Sequence, residues 1–190
     1  MVLFMKQLGG LIFGLLALSA CGSSSGGSFN GTVAGYSLHV VESVFTPLPE
    51  TEDNPAFTLI VLSDRPGICN GIRSGTWGKN TTSFGIYLIS GRPSVSPASP
   101  GTYHLVTDQP NSGVAYFLKQ DDQCRAAPGL SDNSVPATSG SVVLESIDAS
   151  PGKRARGSYD IILRSGEHVT GTFDAAYCQP RSSSVSTTCG

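Results

Sequence analysis

Between Ser141 and Cys178 the chain reads SVVLESIDASPGKRARGSYDIILRSGEHVTGTFDAAYC, and apolar and polar residues alternate along it with a period of two. Tyr159, Ile161 and Leu163 fall on one face of an extended chain, Ser158, Asp160 and Arg164 on the other. Val169, Gly171, Phe173 and Ala175 alternate in the same way with His168, Thr170, Thr172 and Asp174. Successive side chains of a β-strand point to opposite faces, so this pattern predicts strands with one buried and one wet face. A sheet solvated on one side is an antiparallel sheet. Ser150-Pro151-Gly152 and Ser165-Gly166 supply the tight turns between the strands.

The preceding chain supplies material to complete that sheet. Tyr36, Leu38, Val40 and Val44 predict a strand over about Ala34 to Phe45, stopped by Thr46-Pro47-Leu48-Pro49 and followed by an acidic loop, Glu50 to Pro55. Phe57 to Leu62 is apolar on both faces, which predicts a central strand covered on each side. Asp64 to Asn80 is irregular and contains Cys69 and the only tryptophan, Trp77. Phe84, Ile86 and Leu88 mark another strand, ended by the proline-rich run Arg92 to Pro100. Thr102–Val106 and Val114–Lys119 are expected to pair across Asp108–Gly113, and a second long loop, Asp121 to Gly140, holds Cys124. About eight strands, no substantial helix after the first 20 residues and no internal repeat predict an all-β domain: an antiparallel β-sandwich or an up-and-down β-barrel.

The first residues carry an address. Lys6 precedes an apolar run, Leu8 to Leu18, that is short for a permanent membrane span. Leu18-Ser19-Ala20-Cys21 follows, then Gly22-Ser23-Ser24-Ser25-Gly26-Gly27-Ser28. These residues resemble the lipobox of bacterial lipoproteins. The resemblance implies a signal peptide (residues 1–20) cut before Cys21, diacylglycerol on the Cys21 thiol, and a further acyl chain such as palmitate on the new amino group. Each buried acyl CH₂ contributes about 0.8 kcal/mol, so two or more chains anchor stably without any spanning segment. Gly22 after the cysteine is similar to lipoproteins passed on to the outer membrane of Gram-negative bacteria. Residues 21–31 are expected to form a flexible Gly/Ser tether, and residues 32–190 a single β domain whose C-terminal tail is tied by a disulfide.

Beyond the lipobox, LIVLSD, GTY, SGSVVLESID, GSYDIIL and HVTGTFDAAYC are similar to small β-rich lipoproteins of myxobacterial type, and GTY with a closing G-x-F strand is similar to lipoproteins of Bacteroidetes. That resemblance implies a compact β domain on a lipid anchor and brings no activity and no site residues. The charge balance points the same way. Less Lys6, the 12 Lys and Arg become 11 against 14 Asp and Glu, a net charge of −3. Nucleic acid is therefore not an expected partner, since its binders present a basic face.

Candidate chemistry is sparse. Cys69, Cys124, Cys178 and Cys189 remain after Cys21, and four cysteines in an exported chain predict two disulfides. Consecutive pairing, Cys69–Cys124 with Cys178–Cys189, is the expectation where both long loops bend; a strictly alternating meander favours Cys69–Cys178 with Cys124–Cys189. No C-x₂-C spacing suggests zinc, and no other metal or cofactor is expected. Asp121-Asp122 and Asp132-Asn133 carry oxygen ligands for calcium, without the spacing of an EF-hand loop. His39, His104 and His168 are expected on separate strands, each on the polar side, and no G-x-S-x-G elbow is present, so no catalytic residue is assigned. Lys153-Arg154-x-Arg156 could touch lipid phosphates or anionic sugars, or simply guard a sheet edge with charge. Gly75-Thr76-Trp77 matches the G-x-W of lipocalins in letters, although it sits mid-chain rather than at the first barrel strand, so Trp77 is expected to pack under its loop or to present a stacking platform for sugar.

The expectation is thus a lipid-anchored cell-envelope domain without enzymatic activity, binding an envelope protein or polysaccharide or simply coating the surface. A lipocalin-like carrier of a small apolar ligand is the alternative, and a hydrolase of envelope polymers a third.

Overall fold

The structure, a computed structural model, describes residues 25–50, 56–89, 98–105, 111–130, 134–179 and 188–189. Eleven strands and one short helix follow in order: β1 (Gly26–Asn30), β2 (Glu42–Leu48), β3 (Phe57–Ser63), α1 (Ile68–Ser74), β4 (Thr76–Trp77), β5 (Thr82–Ile89), β6 (Gly101–His104), β7 (Ser112–Lys119), β8 (Val135–Ile147), β9 (Arg154–Leu163), β10 (His168–Tyr177) and β11 (Thr188–Cys189). The fold is all-β, and of the two architectures expected it is the barrel. The ring runs β10-β2-β3-β5-β7-β6-β8-β9 and closes from β9 back to β10, with β1 added on the free edge of β10.

The ring is not a pure up-and-down meander. The seven strands β2, β3, β5, β7, β8, β9 and β10 each run antiparallel to the next. With an odd number of alternating strands the last must run the same way as the first, and β10 meets β2 in parallel, through Ala176↔Val44 and Tyr177↔Phe45. β6 wedges in where β7 and β8 splay apart, antiparallel to β8 over Gly101–His104 and touching β7 only at His104↔Ser112. The hairpin expected between Thr102–Val106 and Val114–Lys119 is therefore absent. β7 pairs instead with β5 along its whole length, because Phe117 and Ala115 join Phe84 and Ile86 in the core there.

The alternation of the β9–β10 hairpin holds residue by residue: Tyr159, Ile161, Leu163, Val169, Phe173 and Ala175 are buried, and Asp160, His168 and Thr172 are exposed. An exchange of glycine and aromatic residues sits at its centre. Tyr159 is opposite Gly171, and Phe173 is opposite Gly157. A Cβ at Gly171 would collide with the Ser28 carbonyl and the Tyr159 hydroxyl, and one at Gly157 with the Val143 carbonyl and the Phe173 ring. Each aromatic ring thus lies in space its cross-strand glycine leaves empty, a device that lets a strongly curved sheet keep a packed inner face. The Tyr159 hydroxyl donates to the Ser28 carbonyl at 2.9 Å and so also fastens β1.

β1 corrects the tether expected over residues 21–31. Its sequence, Gly26 to Asn30, has the composition of a linker, yet Phe29 reaches inside and packs on Phe84 (5.4 Å between centroids), Phe117 (5.7 Å) and Tyr159 (6.4 Å). Ser43 marks the fork where the edge of β10 passes from β1 to β2: its hydroxyl donates to the Gly26 carbonyl at 2.6 Å, with the Asp174 carbonyl 3.1 Å away. The strand expected from Ala34 to Phe45 is displaced to Glu42–Leu48, with Pro47 inside it. Val33 and Leu38 are buried, but they plug the barrel end rather than extend the strand. β10 reaches only as far as Phe45 on that edge, so Pro47 has no ladder partner there to disappoint.

Eight strands enclose a space that side chains just fill. Phe45, Ile60, Leu62, Phe84, Ile86, Leu88, Phe117, Leu144 and Ile161 are each at most 1% exposed. Leu38, Ala127 and Leu130 join this core from the loops at one end. Ala98, whose N–H donates to Thr58 Oγ1 at 2.9 Å, and Leu105 cover the other.

Two substitutions test this closure. Gly171→Ala is expected to destabilise by about 1–3 kcal/mol through overpacking, and Tyr159→Phe by about 1 kcal/mol through the lost hydrogen bond, each read as a lowered midpoint of urea unfolding.

Candidate functional site

Alternation on β3, β5 and β7 sends Ile60, Leu62, Phe84, Ile86 and Phe117 inward and Leu59, Val61, Ser83, Gly85, Tyr87, Tyr116 and Leu118 outward. In the outer row, Val61, Gly85 and Tyr116 stand side by side on adjacent strands. The missing side chain at Gly85 leaves a notch of about 220 Å³, bounded also by Leu59, Ser83, Tyr87, Leu118 and Ser134. A Cβ at Gly85 would meet only the Tyr87 ring, at 3.8 Å, so the notch reflects an absent side chain and not a forced backbone.

Tyr87 is the organising residue of this wall. Its ring packs on Phe57 at 5.3 Å and meets Tyr116 nearly at right angles at 6.0 Å. Burial first, and then the neighbouring Tyr116, push its phenol above the usual tyrosine value. The lining holds hydroxyls and apolar groups but no carboxylate, imidazole or cation. It is equipped to receive an uncharged group with an apolar face and a polar edge.

Beside the notch, α1 covers the outer face of β2 and β3. This is why Phe57 to Leu62 is apolar on both sides: Leu59 and Val61 pack with Val44, Ile68 and Ile72 in a second core outside the barrel. Ile68 and Ile72, one helical turn apart, form the buried stripe of α1. Left-handed glycines, Gly67 at φ 86° and Gly75 at φ 71°, delimit the helix, and the Ile68 N–H donates to Glu42 Oε2 at 3.0 Å. Seven residues make a marginal helix on their own, and a covalent bond holds this one down. Cys69 on α1 is joined to Cys178 at the end of β10, with the Cα atoms 5.5 Å apart. Consecutive cysteine pairing is thereby overturned, since the helix carries Cys69 to the β10 side of the barrel and not toward the Cys124 loop. Cys124 is itself disulfide-bonded. Cys189 is described only by its backbone, which runs parallel to β4 with Cys189 opposite Trp77.

The remaining candidate residues separate into distinct places. Leu18, Ser19, Ala20 and Cys21 lie outside the described residues, as does the side chain of Trp77. Arg154 and Arg156 both converge on Asp174 Oδ1, at 3.0 and 3.2 Å, while Lys153 stands 4.0 Å from Asp148. The basic cluster on the β8–β9 hairpin is thus interleaved with acids. His39, His104 and His168 are all exposed, and His168 Nε2 pairs with Asp160 Oδ1 at 2.7 Å. Asp121 is occupied within its own loop: the backbone N–H of Arg125 lowers its pKa most, and its carboxylate also accepts from the Gln123 N–H and the Arg125 guanidinium. Asp132 and Asn133 lie outside the described residues, and among those described no three His, Cys, Asp or Glu gather.

The notch was not among the residues singled out from sequence, because Phe84, Ile86 and Leu88 mark β5 by its inward set. The signal was present in the other phase, Ser83-Gly85-Tyr87, facing Tyr116 across the strand. No protein-family model, curated protein or solved structure matches the chain.

Reduction tests the clamp. Cys69→Ser with Cys178→Ser opens a link spanning 109 residues, and stability is expected to fall by about 2–5 kcal/mol. Hydrogen exchange should show the amides of residues 68–74 losing protection first, with the barrel strands still protected. Titration tests the tyrosines. Burial raises the phenols of Tyr159 and Tyr87 above their ordinary value of 10.0, so above that pH the unfolded chain releases protons that the folded chain retains. Stability is therefore fully present below pH 10 and falls as the pH climbs toward the folded-state values. Tyrosinate absorbance should show the Tyr87 and Tyr159 phenols staying protonated above pH 10 until the chain unfolds.

Proposed function

We propose that this chain is a lipid-anchored, non-catalytic domain of the cell envelope, held at the outer membrane of a Gram-negative bacterium through Cys21, that recognises an envelope protein or polysaccharide on the outer wall of its barrel. The filled interior carries the reading. A barrel packed with Phe45, Phe84, Phe117 and Ile161 and covered at both ends has its recognition surface on the outside. There the Gly85 notch, with the hydroxyls of Tyr87 and Tyr116 beside an apolar floor, suits an uncharged segment of such a partner. The Cys69–Cys178 bridge supports passage through an oxidising compartment.

A carrier of a small apolar ligand would need a chamber, and the packing of the ring weighs against one. A hydrolase of envelope polymers would need polar groups converging in a cleft. His39, His104 and His168 stand on the β1–β2 connection, β6 and β10.

Two measurements test the proposal. Mass spectrometry of the native protein should find diacylglycerol on Cys21, and Cys21→Ala should move the chain from the outer-membrane fraction to the soluble one; an unmodified Cys21 thiol would overturn the anchor. A photo-crosslinker at Ser134, on the rim of the notch, should capture an envelope component in cells, and Gly85→Leu, which fills the notch, should reduce that capture at least tenfold. Equal capture by the filled variant would remove the notch from the proposal.

A further inference from the structure

The described chain enters the barrel at one end only, and that end has a distinctive charge pattern. Gly26, the first residue of β1, is in register with Asp174. Asp174 receives both Arg154 and Arg156 at the start of β9, and Arg154 also donates to the Asp174 carbonyl at 3.2 Å. Two hollows flank Arg156 and share it. One, of about 470 Å³, is lined by Asp148, Gly152, Lys153, Arg154 and Asp174; the other, of about 440 Å³, by Gly26, Ser28, Glu145, Thr172 and Asp174. Lys153, Arg154 and Arg156 thus alternate with Asp148, Glu145 and Asp174, three cations against three anions. The Arg156 side chain is 59% exposed between the hollows.

Only four links separate Ser25, the first described residue, from Cys21. At about 3.5 Å per residue they span at most about 14 Å. An acyl chain on Cys21 therefore keeps this end within about 14 Å of the lipid surface. The Ser165-Gly166 turn stands at the other end of the ten-residue β9, about 33 Å of strand away.

Resting on the lipid anchor proposed above, we infer that the β8–β9 hairpin end is the face that docks on the bilayer, with Arg156 and Lys153 taking the phosphate, and Glu145 and Asp148 the ammonium, of zwitterionic phospholipid headgroups. A surface with balanced, interleaved charges complements a headgroup that carries both signs. A purely anionic leaflet would meet as many repelling carboxylates as attracting cations. Docking by this end also directs α1, with the disulfide that clamps it, and the notched wall sideways along the membrane plane.

The test uses the lipidated full-length protein in vesicles of phosphatidylcholine and phosphatidylethanolamine containing a spin-labelled lipid as quencher. A fluorophore sits at Ser150 on the docking hairpin or at Ser165 on the far turn. Quenching at Ser150 should exceed that at Ser165 at least threefold, and Arg156→Gln should halve it without releasing the protein, since Asp174 retains Arg154. Equal quenching at the two positions on vesicle-bound protein would overturn the orientation and leave the anchor standing. Full quenching with Arg156→Gln would overturn the headgroup contact. Protein that does not float with the vesicles would bring down the anchor itself, and this inference with it.

Discussion

Closing a ring from seven alternating strands forces one seam to be parallel, and the shape of this molecule follows from how that seam is made. β10 and β2 share only two register pairs before their edges diverge. A two-residue parallel contact is a weak closure, because parallel ladders are slightly less stable per residue and this one is short. β1 relieves the difficulty. It covers the rest of the β10 edge with five antiparallel pairs, and Ser43 stitches the fork with a hydroxyl close to carbonyls on both sides. An exposed edge in the middle of the wall would otherwise offer a template for another chain. The wedge of β6 between β7 and β8 resolves a similar splay on the other side of the ring.

The inner surface of the seam depends on shape complementarity rather than on size alone. Tyr159 over Gly171 and Phe173 over Gly157 place two large rings where a Cβ would also strike the backbone of β1 and β8. Phe29 then inserts among Phe84, Phe117 and Tyr159, so the strand that seals the backbone also completes the aromatic core. One hydroxyl links the two roles: Tyr159 packs as a core ring and donates its proton to the carbonyl of Ser28 on β1. Loss of β1 would therefore unpair an edge, empty a core position and orphan a buried phenol together.

How far the sequence shows this varies with the kind of interaction. The β9–β10 hairpin was legible because its period-2 pattern follows from half-burial, a local consequence of strand geometry. The double-sided apolar character of Phe57 to Leu62 foretold a cover on the outer wall, though not that a seven-residue helix would provide it. β1 was hidden because Gly-Gly-Ser-Phe-Asn has the composition of a linker; only its place against Gly171 and Tyr159 makes a strand of it. The position of β2 was misread because Leu38 and Val44 are both buried but in different cores, one in the barrel and one beneath α1. Cysteine pairing depended on that same unseen helix. Cys69 pairs with Cys178 as an alternating meander favours, but β3 and β10 end at opposite ends of the barrel, and it is α1 that brings Cys69 back along the wall to the end of β10.

The two cores divide the labour of the outer wall. The barrel core is continuous and closed, so perturbing the outer surface need not disturb it. The second core, Val44, Leu59, Val61, Ile68 and Ile72, is small, and its helix is secured by a covalent bond because packing over so few residues would not secure it. The Gly85 notch opens where that cover leaves the outer wall of β5 and β7, on a floor whose other face is the rigid interior of Phe84, Ile86 and Phe117. A hollow backed by a close-packed core does not collapse when empty, and it does not have to be ordered when a ligand arrives. Pre-organisation of this kind lowers the entropic cost that binding at the notch would carry.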